Sequence, residues 1–580
     1  MQRKKKRKNT SPLRLVALVA VLVVIVICTI VILKYSPSRE MADLEAYYGL
    51  TSSGDASGNA SAAEAGDTAV VINNELLSSK AIVSNDKIYL DIDAVQEYLN
   101  QRFYWDANEM ILIYTTSSQV IKASVGTANY YQGNTLTEGD YIIVKYVSGT
   151  AYVCLDFVAQ YTDMDYTLYD DPARVVVRSD FGETTYVKAK RNAKIRVLGG
   201  VKSEILTKCT KGQVLTVLET YDHWTKVATE DGIIGYVSNK KITASYTETE
   251  ERDFEEETYS SITKDFDINL TWHQVTNQTA NSYVSSVLSE AEGVNVLAPT
   301  WFALSDTSGN IASLANSSYV TTAHESGVEV WAVVSNLTYD VDTTEVLTHT
   351  TLREHLESQI IAAAIEYKLD GINVDFEDLS SEVDDSYIQF IRELSILCRN
   401  NGIVLSVDTT PTLSTTAFYN REEMGTVADY VVLMAYDEHY SGSEVGSVAS
   451  ISWTEESVAT LLNEVPAEKL ILGVPYYTRL WMTTTDSEGN TTVDSEAVGM
   501  SLAQSTLTEN GQTATYDEAS GQNYAEWTEG DTLYQIWLED ATSMESRMQI
   551  LTNNGLAGCA SWRVGYETSD IWGVLNSYLN

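Results

Sequence analysis

The sequence predicts an α/β protein whose largest part is a (β/α)8 barrel formed by residues 265–580. Eight apolar, strand-like runs alternate there with helical stretches, which is the order and length of such a barrel. Apolar side chains between the strands recur at helical spacing, as at Ile388, Ile391 and Leu394. A long gap over residues 481–534 predicts an insertion after the seventh strand. The predicted strands are residues 267–275, 294–304, 329–335, 371–377, 404–410, 430–437, 470–477 and 558–564.

The composition predicts a folded, strongly acidic protein of several domains. The 580 residues suffice for about four domains, and 44% apolar against 21% charged residues excludes wholesale disorder. The 38 basic and 81 acidic side chains give a net charge of −43. Seven basic residues lie within the first 14 positions, so the remaining 31 leave −50 on the rest of the chain. We therefore expect no nucleic-acid partner and no general attraction to anionic lipid.

The N-terminus predicts a single-pass membrane protein. Residues 1–14 form a basic tip, and residues 15–33 carry no charge. A helix of that length spans about 28 Å, close to the thickness of a bilayer core. The positive-inside rule places the tip in the cytoplasm and the rest of the chain outside. A cleaved signal peptide is the alternative, but no small-x-small cleavage site follows the apolar run.

Two small modules are predicted between the membrane and the barrel. Residues 34–68 read as a polar linker. The short strands and single helix of residues 69–180 resemble copper amine oxidase N-terminal domains, although nothing there is expected to hold copper. A structural spacer and a wall-binding module both fit this α+β module.

The second module, residues 187–245, has five predicted short strands and forms a small β-rich barrel. Its pattern Trp224-Thr-Lys-Val227, then Gly232, then Gly235-Tyr-Val237 resembles bacterial SH3-type domains. Such domains often bind cell-wall peptides, but many are only spacers, and the sequence leaves both roles open. Residues 246–264 are acidic and predict a second linker.

The chemistry of the barrel centres on its fourth predicted strand, Asp370-Gly-Ile-Asn-Val-Asp-Phe-Glu377. Side chains alternate between the two faces of a strand, so Asn373, Asp375 and Glu377 point to one face. Their polarity places them in the barrel interior, rising toward its open end. Two carboxylates confined so closely raise one pKa, which provides a general acid near neutral pH.

Four motifs in order make the barrel similar to glycoside hydrolase family 18. The fourth strand resembles the family's Asp-x-x-Asp-x-Asp-x-Glu signature, with Asn373 in place of the second Asp. Met434-Ala-Tyr-Asp437 matches the sixth-strand motif of the family. Gly473-Val-Pro-Tyr-Tyr477 and Trp562 match the seventh and eighth strands. The Asn373 form resembles the bacterial branch that includes spore-cortex N-acetylglucosaminidases.

The resemblance implies a retaining, substrate-assisted mechanism, an exception to the scheme with two enzyme carboxylates. Glu377 would protonate the glycosidic oxygen, and the substrate's acetamido oxygen would attack the anomeric carbon. Asp375 would hold the acetamido N–H, and Tyr436 would donate to the acetamido oxygen. Because Asn373 cannot add charge beneath Asp375, we expect Asp375 to be easier to ionise than with the family's usual Asp at position 373. The implied substrate-binding residues are Asn373, Asp437, Trp562, Met434 and Tyr477.

Other candidate sites are weaker. Sugar stacking and ordinary packing both fit Trp301, Trp331, Trp453 and Trp481. The six His show no metal spacing, and five separated Cys predict no disulfide framework, so we expect neither metal nor cofactor. A start like that of a LysM repeat at residues 530–536 fits the barrel or its insertion better.

These inferences predict a membrane-anchored glycosidase acting outside the cytoplasm on β-1,4 bonds of N-acetylglucosamine glycans. Peptidoglycan is the leading substrate because an anchored enzyme with an SH3-type module most readily reaches the wall. Chitin or its oligosaccharides are the enzymatic alternative, and a non-catalytic wall-binding lectin is the other.

Overall fold

The structure is a computed structural model that describes residues 12–50, 67–383 and 385–579. It contains two compact units. The first comprises residues up to 103, residues 124–129 and residues 138–256. The second comprises residues 104–123, residues 130–137 and residues from 257 onward. Most of the predicted basic tip and residues 51–66 of the predicted linker lie outside the described residues.

Helix α1 (Pro12–Tyr35) covers the predicted membrane span. Its side chains are described from residue 16 to residue 31 and at Lys34, and its apolar ones are largely exposed. Within the described residues, the structure contains no helix that is long and apolar enough to cross a bilayer. The predicted transmembrane helix is therefore not confirmed and stays a prediction.

Residues 36–50 are ordered against the SH3-type module rather than forming a free linker. Helix α2 (Leu44–Tyr47) begins at Asp43, whose carboxylate accepts hydrogen bonds from two backbone N–H groups of its first turn. The buried Tyr48 donates its hydroxyl to the carbonyl of Gly232 at 3.1 Å. These contacts attach the end of α1 to the first unit.

The segment between residues 67 and 180 contains two sheets. Its elements are β1 (Thr68–Ile72), β2 (Glu75–Ser84), β3 (Lys87–Asp91), α3 (Ile92–Tyr98), β4 (Phe103–Asp106), β5 (Ile111–Thr115), β6 (Val120–Ser124), β7 (Tyr130–Gln132), β8 (Thr135–Thr137), β9 (Val144–Val147), β10 (Thr150–Cys154), α4 (Leu155–Val158), β11 (Asp165–Asp170) and β12 (Ala173–Arg178). A seven-stranded sheet has the order β11-β12-β1-β2-β3-β10-β9, and β4 to β8 form the other in sequence order. Most of the second sheet belongs to the unit of the barrel.

The SH3-type module is a seven-stranded antiparallel sheet of order β15-β14-β18-β17-β16-β13-β19. Gly235 lies where β14 and β18 cross, and a Cβ there would lie 2.6 Å from the carbonyl oxygen of Arg196. Only glycine therefore permits this close approach. The strands are β13 (Glu183–Lys188), β14 (Ala193–Arg196), β15 (Ile205–Cys209), β16 (Val214–Thr220), β17 (Trp224–Ala228), β18 (Ile234–Ser238) and β19 (Tyr246–Thr249).

The second unit is built on a closed barrel of eight parallel strands. They follow the order β20-β33-β27-β26-β25-β24-β23-β21, and pairing of β20 with β21 closes the barrel. The predicted barrel is thereby confirmed. Its elements are β20 (Ile268–His273), α5 (Val284–Glu290), β21 (Val296–Leu304), β22 (Ile311–Ser313), α6 (Ser317–Glu325), β23 (Glu329–Ser335), α7 (Thr343–Thr348), α8 (Thr350–Tyr367), β24 (Gly371–Asp375), α9 (Ser386–Asn400), β25 (Val404–Thr409), α10 (Arg421–Val427), β26 (Tyr430–Met434), α11 (Ile451–Leu461), β27 (Leu470–Pro475), β28 (Tyr477–Thr485), β29 (Thr491–Gly499), α12 (Met500–Glu509), β30 (Thr515–Asp517), β31 (Gln522–Glu529), β32 (Thr532–Leu538), α13 (Ala541–Asn554), β33 (Gly558–Trp562) and α14 (Asp570–Asn576).

The insertion after the seventh barrel strand is a sheet of its own. It has the order β29-β28-β32-β31-β30, and α12 packs on it. This sheet begins at Tyr477, separated by one residue from the end of the barrel strand at Pro475. Residues 530–536, which resemble the start of a LysM repeat, form its hairpin turn and strand β32.

A carboxylate from the β4–β8 sheet caps barrel helix α8. The residue before this helix, His349, makes no side-chain capping bond. Instead Asp106 accepts from the backbone N–H of Thr350 at 2.7 Å and from its hydroxyl at 2.5 Å. Glu109 likewise accepts from the N–H of Thr351 at 3.1 Å. Negative charge at this end is favourable because the helix N-terminus carries unpaired N–H groups and a positive partial charge.

Candidate active site

The side chains of strand β24 alternate between its two faces as predicted, with apolar ones on one face and polar ones on the other. Ile372, Val374 and Phe376 are buried in the layer between the strands and the helices. Asn373 is fully buried and faces inward, where Trp272 donates to its side-chain oxygen at 2.9 Å. Asp375 ends the strand and Glu377 follows it, exposed at the open end of the barrel. The polar series therefore rises from the barrel interior to solvent.

The carboxyl groups of Asp375 and Glu377 share a hydrogen bond. Burial, then the charges of Glu377 and Asp408, raises the pKa of Asp375 well above its usual range. Although part of its side chain reaches solvent, the surrounding barrel atoms desolvate Glu377 and raise its pKa, against the lowering effect of its hydrogen bond from Asp375. Because a hydrogen bond between two carboxyls requires a proton, this pair holds one under conditions where a free carboxylate would not.

A third carboxyl group, Asp408 on strand β25, lies at the base of the site. Its Oδ1 accepts a 2.6 Å hydrogen bond from Asn373 Nδ2, which also donates to Ser406 Oγ at 3.0 Å. Burial raises the pKa of Asp408 well above its usual range, and the charge of Glu377 adds to this. Asn373 was expected to leave Asp375 easier to ionise than an Asp at that position would, but the charge of Asp408, from the next strand, is among the causes that raise the pKa of Asp375.

Tyr436 brings its phenol to this carboxyl cluster. Burial, followed by the nearby charges of Tyr477, Glu377, Asp408 and Asp375, raises the pKa of Tyr436 well above its usual range. A phenol in such surroundings stays protonated and can act as a hydrogen-bond donor. The structure thus brings the three predicted catalytic residues Asp375, Glu377 and Tyr436 together.

The predicted binding residues at and after the ends of strands β26 and β27 lie beside this cluster. The buried Tyr477 donates its hydroxyl to Asp437 Oδ1 at 2.6 Å. Asp437 is exposed and has a left-handed backbone with a φ of 62°. The rings of Tyr477 and Tyr436 pack edge to face at 6.2 Å. Met434 is buried at the end of β26.

Trp562 ends strand β33 and is half-buried. Its ring packs edge to face on Trp272 at 5.9 Å, and Trp272 in turn bonds Asn373. The indole of Trp562 is therefore fixed on the same inner scaffold as the carboxyl series. An apolar ring held next to a polar cluster is a surface on which a sugar ring can stack.

Several supporting residues escaped the sequence analysis. The buried Asn336 accepts a hydrogen bond from the N–H of Glu377 at 3.1 Å, and Tyr419 donates to the carbonyl of Phe376 at 3.0 Å. Both fix the backbone just after β24. The hydroxyl of Tyr387, buried nearby, has no hydrogen-bond partner among the described residues. The position of Asp408 in the C-terminal half of β25 is a sequence signal that could have made it a candidate, but it gives no sign of the contact with Asn373.

The other Trp residues considered as sugar platforms are packing residues. Trp301, Trp331 and Trp481 are each at most 2% exposed, and their indole N–H groups are bonded within the protein. Trp453 packs partly buried against the outer core.

Comparison with known proteins agrees with this geometry. Residues 302–567 match the sequence profile of glycosyl hydrolases family 18. The match with glycoside hydrolase family 18 thus falls within the barrel. Residues 191–243 match the bacterial SH3 domain, and residues 70–177 match the copper amine oxidase N-terminal domain. The three resemblances in the sequence, and the prediction of an enzyme domain of this family, are confirmed.

Individual relatives cover only part of the chain. The cortical fragment-lytic enzyme of Bacillus subtilis is 27% identical over 40% of this chain and 54% of its own length. An uncharacterized glycosylase of the same organism is 26% identical over 48% of this chain and 83% of its own. The C-terminal domain of a putative chitinase from Desulfitobacterium hafniense shares the fold, with a TM-score of 0.50, 22% identity and coverage of 54% and 99%. The chain thus spans about half the length of the first of these relatives.

Proposed function

We propose that this protein is a membrane-anchored glycosidase that cleaves β-1,4 bonds of N-acetylglucosamine glycans by a retaining, substrate-assisted mechanism, with peptidoglycan as its substrate. The proton shared by Asp375 and Glu377 at the open end of the barrel carries the proposal. A general acid needs this elevated pKa to remain protonated near neutral pH.

The first chemical step uses the proton that Asp375 and Glu377 share, which passes to Glu377 as Asp375 turns away from it and is left ionised. Glu377 gives it to the glycosidic oxygen as the bond to the anomeric carbon breaks and the leaving sugar departs as an alcohol. The acetamido oxygen of the substrate forms a new bond to the same carbon, giving a cyclic oxazolinium ion. Asp375 turns toward the acetamido N–H and stabilises the positive charge, while Tyr436 donates its hydroxyl to the acetamido oxygen.

The second step reverses the roles. Water attacks the anomeric carbon, Glu377 takes its proton, and the bond to the acetamido oxygen breaks. Two inversions at one carbon leave the β-configuration. The raised pKa of Glu377 suits both roles, since an acid that is too strong would be a poor base.

Peptidoglycan is favoured over chitin by two observations. The cortical fragment-lytic enzyme named above is a relative of the barrel, and the chain also carries an SH3-type module. Anchoring is proposed from the uncharged residues 15–33 and the seven basic residues before them. It would hold the barrel outside the cytoplasm, next to the wall.

Product analysis of purified full-length protein tests this proposal. Peptidoglycan and an N-acetylglucosamine oligomer are digested in parallel, and products are identified by mass spectrometry. We expect wall fragments with N-acetylglucosamine at the new reducing end. Cleavage of the oligomer alone would support a chitinase, and binding to both without cleavage would support a lectin.

The proposed topology is tested with protease added to intact cells, which should remove the barrel. A barrel that resists the protease in intact cells but not in lysed cells would contradict this topology.

A further inference from the structure

The SH3-type module contains a pocket of strongly positive character in an otherwise acidic protein. This basic pocket has a volume of about 590 Å³ and is lined by Lys194, Arg196, Lys208, Lys241 and the indole of Trp224. No acidic residue of the described chain lines it. The pocket therefore groups four basic side chains in a protein whose net charge is −43.

These cations are not neutralised by neighbouring carboxylates. None of the four forms an ion pair within the described parts of the chain. Burial, followed by the charges of Arg196, Lys208 and Arg39, lowers the pKa of Lys194. Like charges held this close favour binding of an anion, which would relieve their repulsion.

The pocket lies immediately beside the end of α1. Pro37 lines it, only two residues after Tyr35, so the pocket begins within about 7 Å of the helix end. The next residue, Ser38, donates its N–H to the carbonyl of Val201 at 2.7 Å and accepts from Arg196 Nη2 at 3.1 Å. The pocket therefore cannot move far from the point where α1 ends.

The loop between β14 and β15 exposes apolar side chains at the same place. Leu198 is 65% exposed and Val201 is 44% exposed, and Val201 also lines the basic pocket. Exposed apolar side chains next to Lys, Arg and Trp are the composition of the interface between a bilayer and water.

We propose that the basic pocket binds the phosphate of anionic lipid headgroups and holds the SH3-type module against the outer face of the membrane. This inference rests on the proposed anchoring by residues 15–33. With α1 spanning the bilayer, the pocket lies at the level of the headgroups, which extend several Å beyond the hydrocarbon core. Leu198 and Val201 enter the interface, and Trp224 lies at its boundary.

The net charge of the protein does not prevent this contact. Screening limits the repulsion between the acidic surface and the membrane to about 8 Å at physiological ionic strength. Within that distance the four pocket cations dominate, because the chain itself keeps them beside the bilayer. Docking would fix the orientation of the module on the membrane, whereas attachment through α1 alone would leave its orientation free.

The test uses full-length protein in phosphatidylcholine vesicles with and without phosphatidylglycerol. Cys28→Ser removes the exposed thiol, and Gly200→Cys adds a fluorophore site in the pocket loop, where an added Cβ meets no atom within 4 Å. Headgroup-level nitroxide lipids then quench the fluorophore if it touches the membrane. We expect roughly threefold stronger quenching with phosphatidylglycerol, lost at high salt.

Charge variants make the result specific. Lys194→Gln with Lys208→Gln should reduce quenching to the phosphatidylcholine level. Lys80→Gln with Lys188→Gln removes the same charge from residues that do not line the pocket and should change nothing. Quenching that is equal in both lipids, or that survives loss of the pocket lysines, would overturn the docking proposal. Loss of the lipid-dependent quenching on addition of millimolar glycerol phosphate would also overturn it, because the pocket would then bind free phosphate in preference to lipid headgroups.

Flotation of the same vesicles separates this inference from the anchoring. Protein that floats with both lipid mixtures but shows no lipid-dependent quenching is anchored without docking. Protein that floats with neither contradicts the anchoring, and the docking proposal fails with it.

Discussion

Asn373 Nδ2 donates a 2.6 Å hydrogen bond to Asp408 Oδ1, joining two neighbouring barrel strands beneath the carboxyl pair. The amide cannot carry charge, but the carboxyl it holds can. Asp408 thus supplies from β25 the carboxyl that β24 lacks at position 373. The second carboxyl group that raises the pKa of Asp375 therefore stands on β25 instead of on β24.

Replacement of Asp408 by Asn should shift the acid limb of activity. Asp375 must be ionised to stabilise the oxazolinium ion, and the charge of Asp408 is among the causes that raise its pKa. Removing that charge lowers the pKa of the Asp375–Glu377 pair that controls this limb. As pH is increased, kcat/KM of Asp408→Asn should therefore begin to rise at a lower pH than kcat/KM of the wild type.

Ser406→Ala is the matched control, because it removes the other hydrogen bond from Asn373 without changing charge. Its acid limb should stay in place. A slower Asp408→Asn variant with an unmoved limb would mean that Asp408 only positions Asn373.

Replacement of Glu377 by Gln should remove general acid catalysis. The amide keeps the shape of the side chain but has no proton to give, and such catalysis is worth about 10²–10⁴-fold. Turnover of an unactivated oligosaccharide should fall by that factor while binding persists. The exposed neighbour Glu382 provides the control, since Glu382→Gln should retain normal turnover. Near wild-type rates in Glu377→Gln would remove Glu377 from this role.

The barrel and its main residues were predictable because their signals are local. Alternation along β24 separates Ile372 and Val374 from Asn373 and Asp375, and the structure follows it. The role of Asp408 was not predictable in this way. It depends on the contact between two strands, which no pattern along one strand reveals.

The same reason explains why the attachment of one part of the first module to the barrel could not be foreseen. Residues 104–123 read as part of a separate module, yet they cluster with the barrel because Asp106 and Glu109 cap α8. A carboxylate that caps a helix more than two hundred residues away leaves no mark in the sequence around it.

Replacement of Asp106 by Ala should destabilise the barrel. The change removes the acceptor of two hydrogen bonds from Thr350 at the start of α8, and loss of a cap costs about 1–2 kcal/mol. Chemical denaturation followed through the barrel should show this loss. Asp140→Ala, at an exposed residue of the other unit, should leave the barrel's stability unchanged. Equal stability of Asp106→Ala and wild type would contradict the capping role.

The acetyl group at the cleaved sugar should be obligatory. The attacking oxygen is proposed to come from the substrate, so a glucosamine without acetyl at this position should bind but not be cleaved. A thiazoline mimic of the oxazolinium ion should inhibit competitively, because it resembles the charged intermediate. Proton NMR of the first product should show the β-anomer; an initial α-anomer would mean direct attack by water.

Replacement of Asp375 by Asn should stabilise the barrel, and increasingly so as pH rises. Burial and the neighbouring carboxyls raise the pKa of Asp375 in the folded protein above its value in the unfolded chain. The folded state therefore binds the proton more tightly, so stability from this group is complete below pH of about 4 and is lost as pH rises through the folded-state pKa. An amide at position 375 does not titrate and escapes this loss. Calorimetry should show equal melting temperatures for the two proteins in acid and a higher one for Asp375→Asn at neutral pH. Each kcal/mol of added stability should raise the melting temperature by about 2–4 °C.

The transition of the barrel is identified by its shift with a thiazoline inhibitor in the wild type. Asp378→Asn, at an exposed neighbour, should show no such trend. A gain for Asp375→Asn that is the same at every pH would point to packing instead of ionisation, and no gain at any pH would mean that Asp375 is not destabilised by its surroundings.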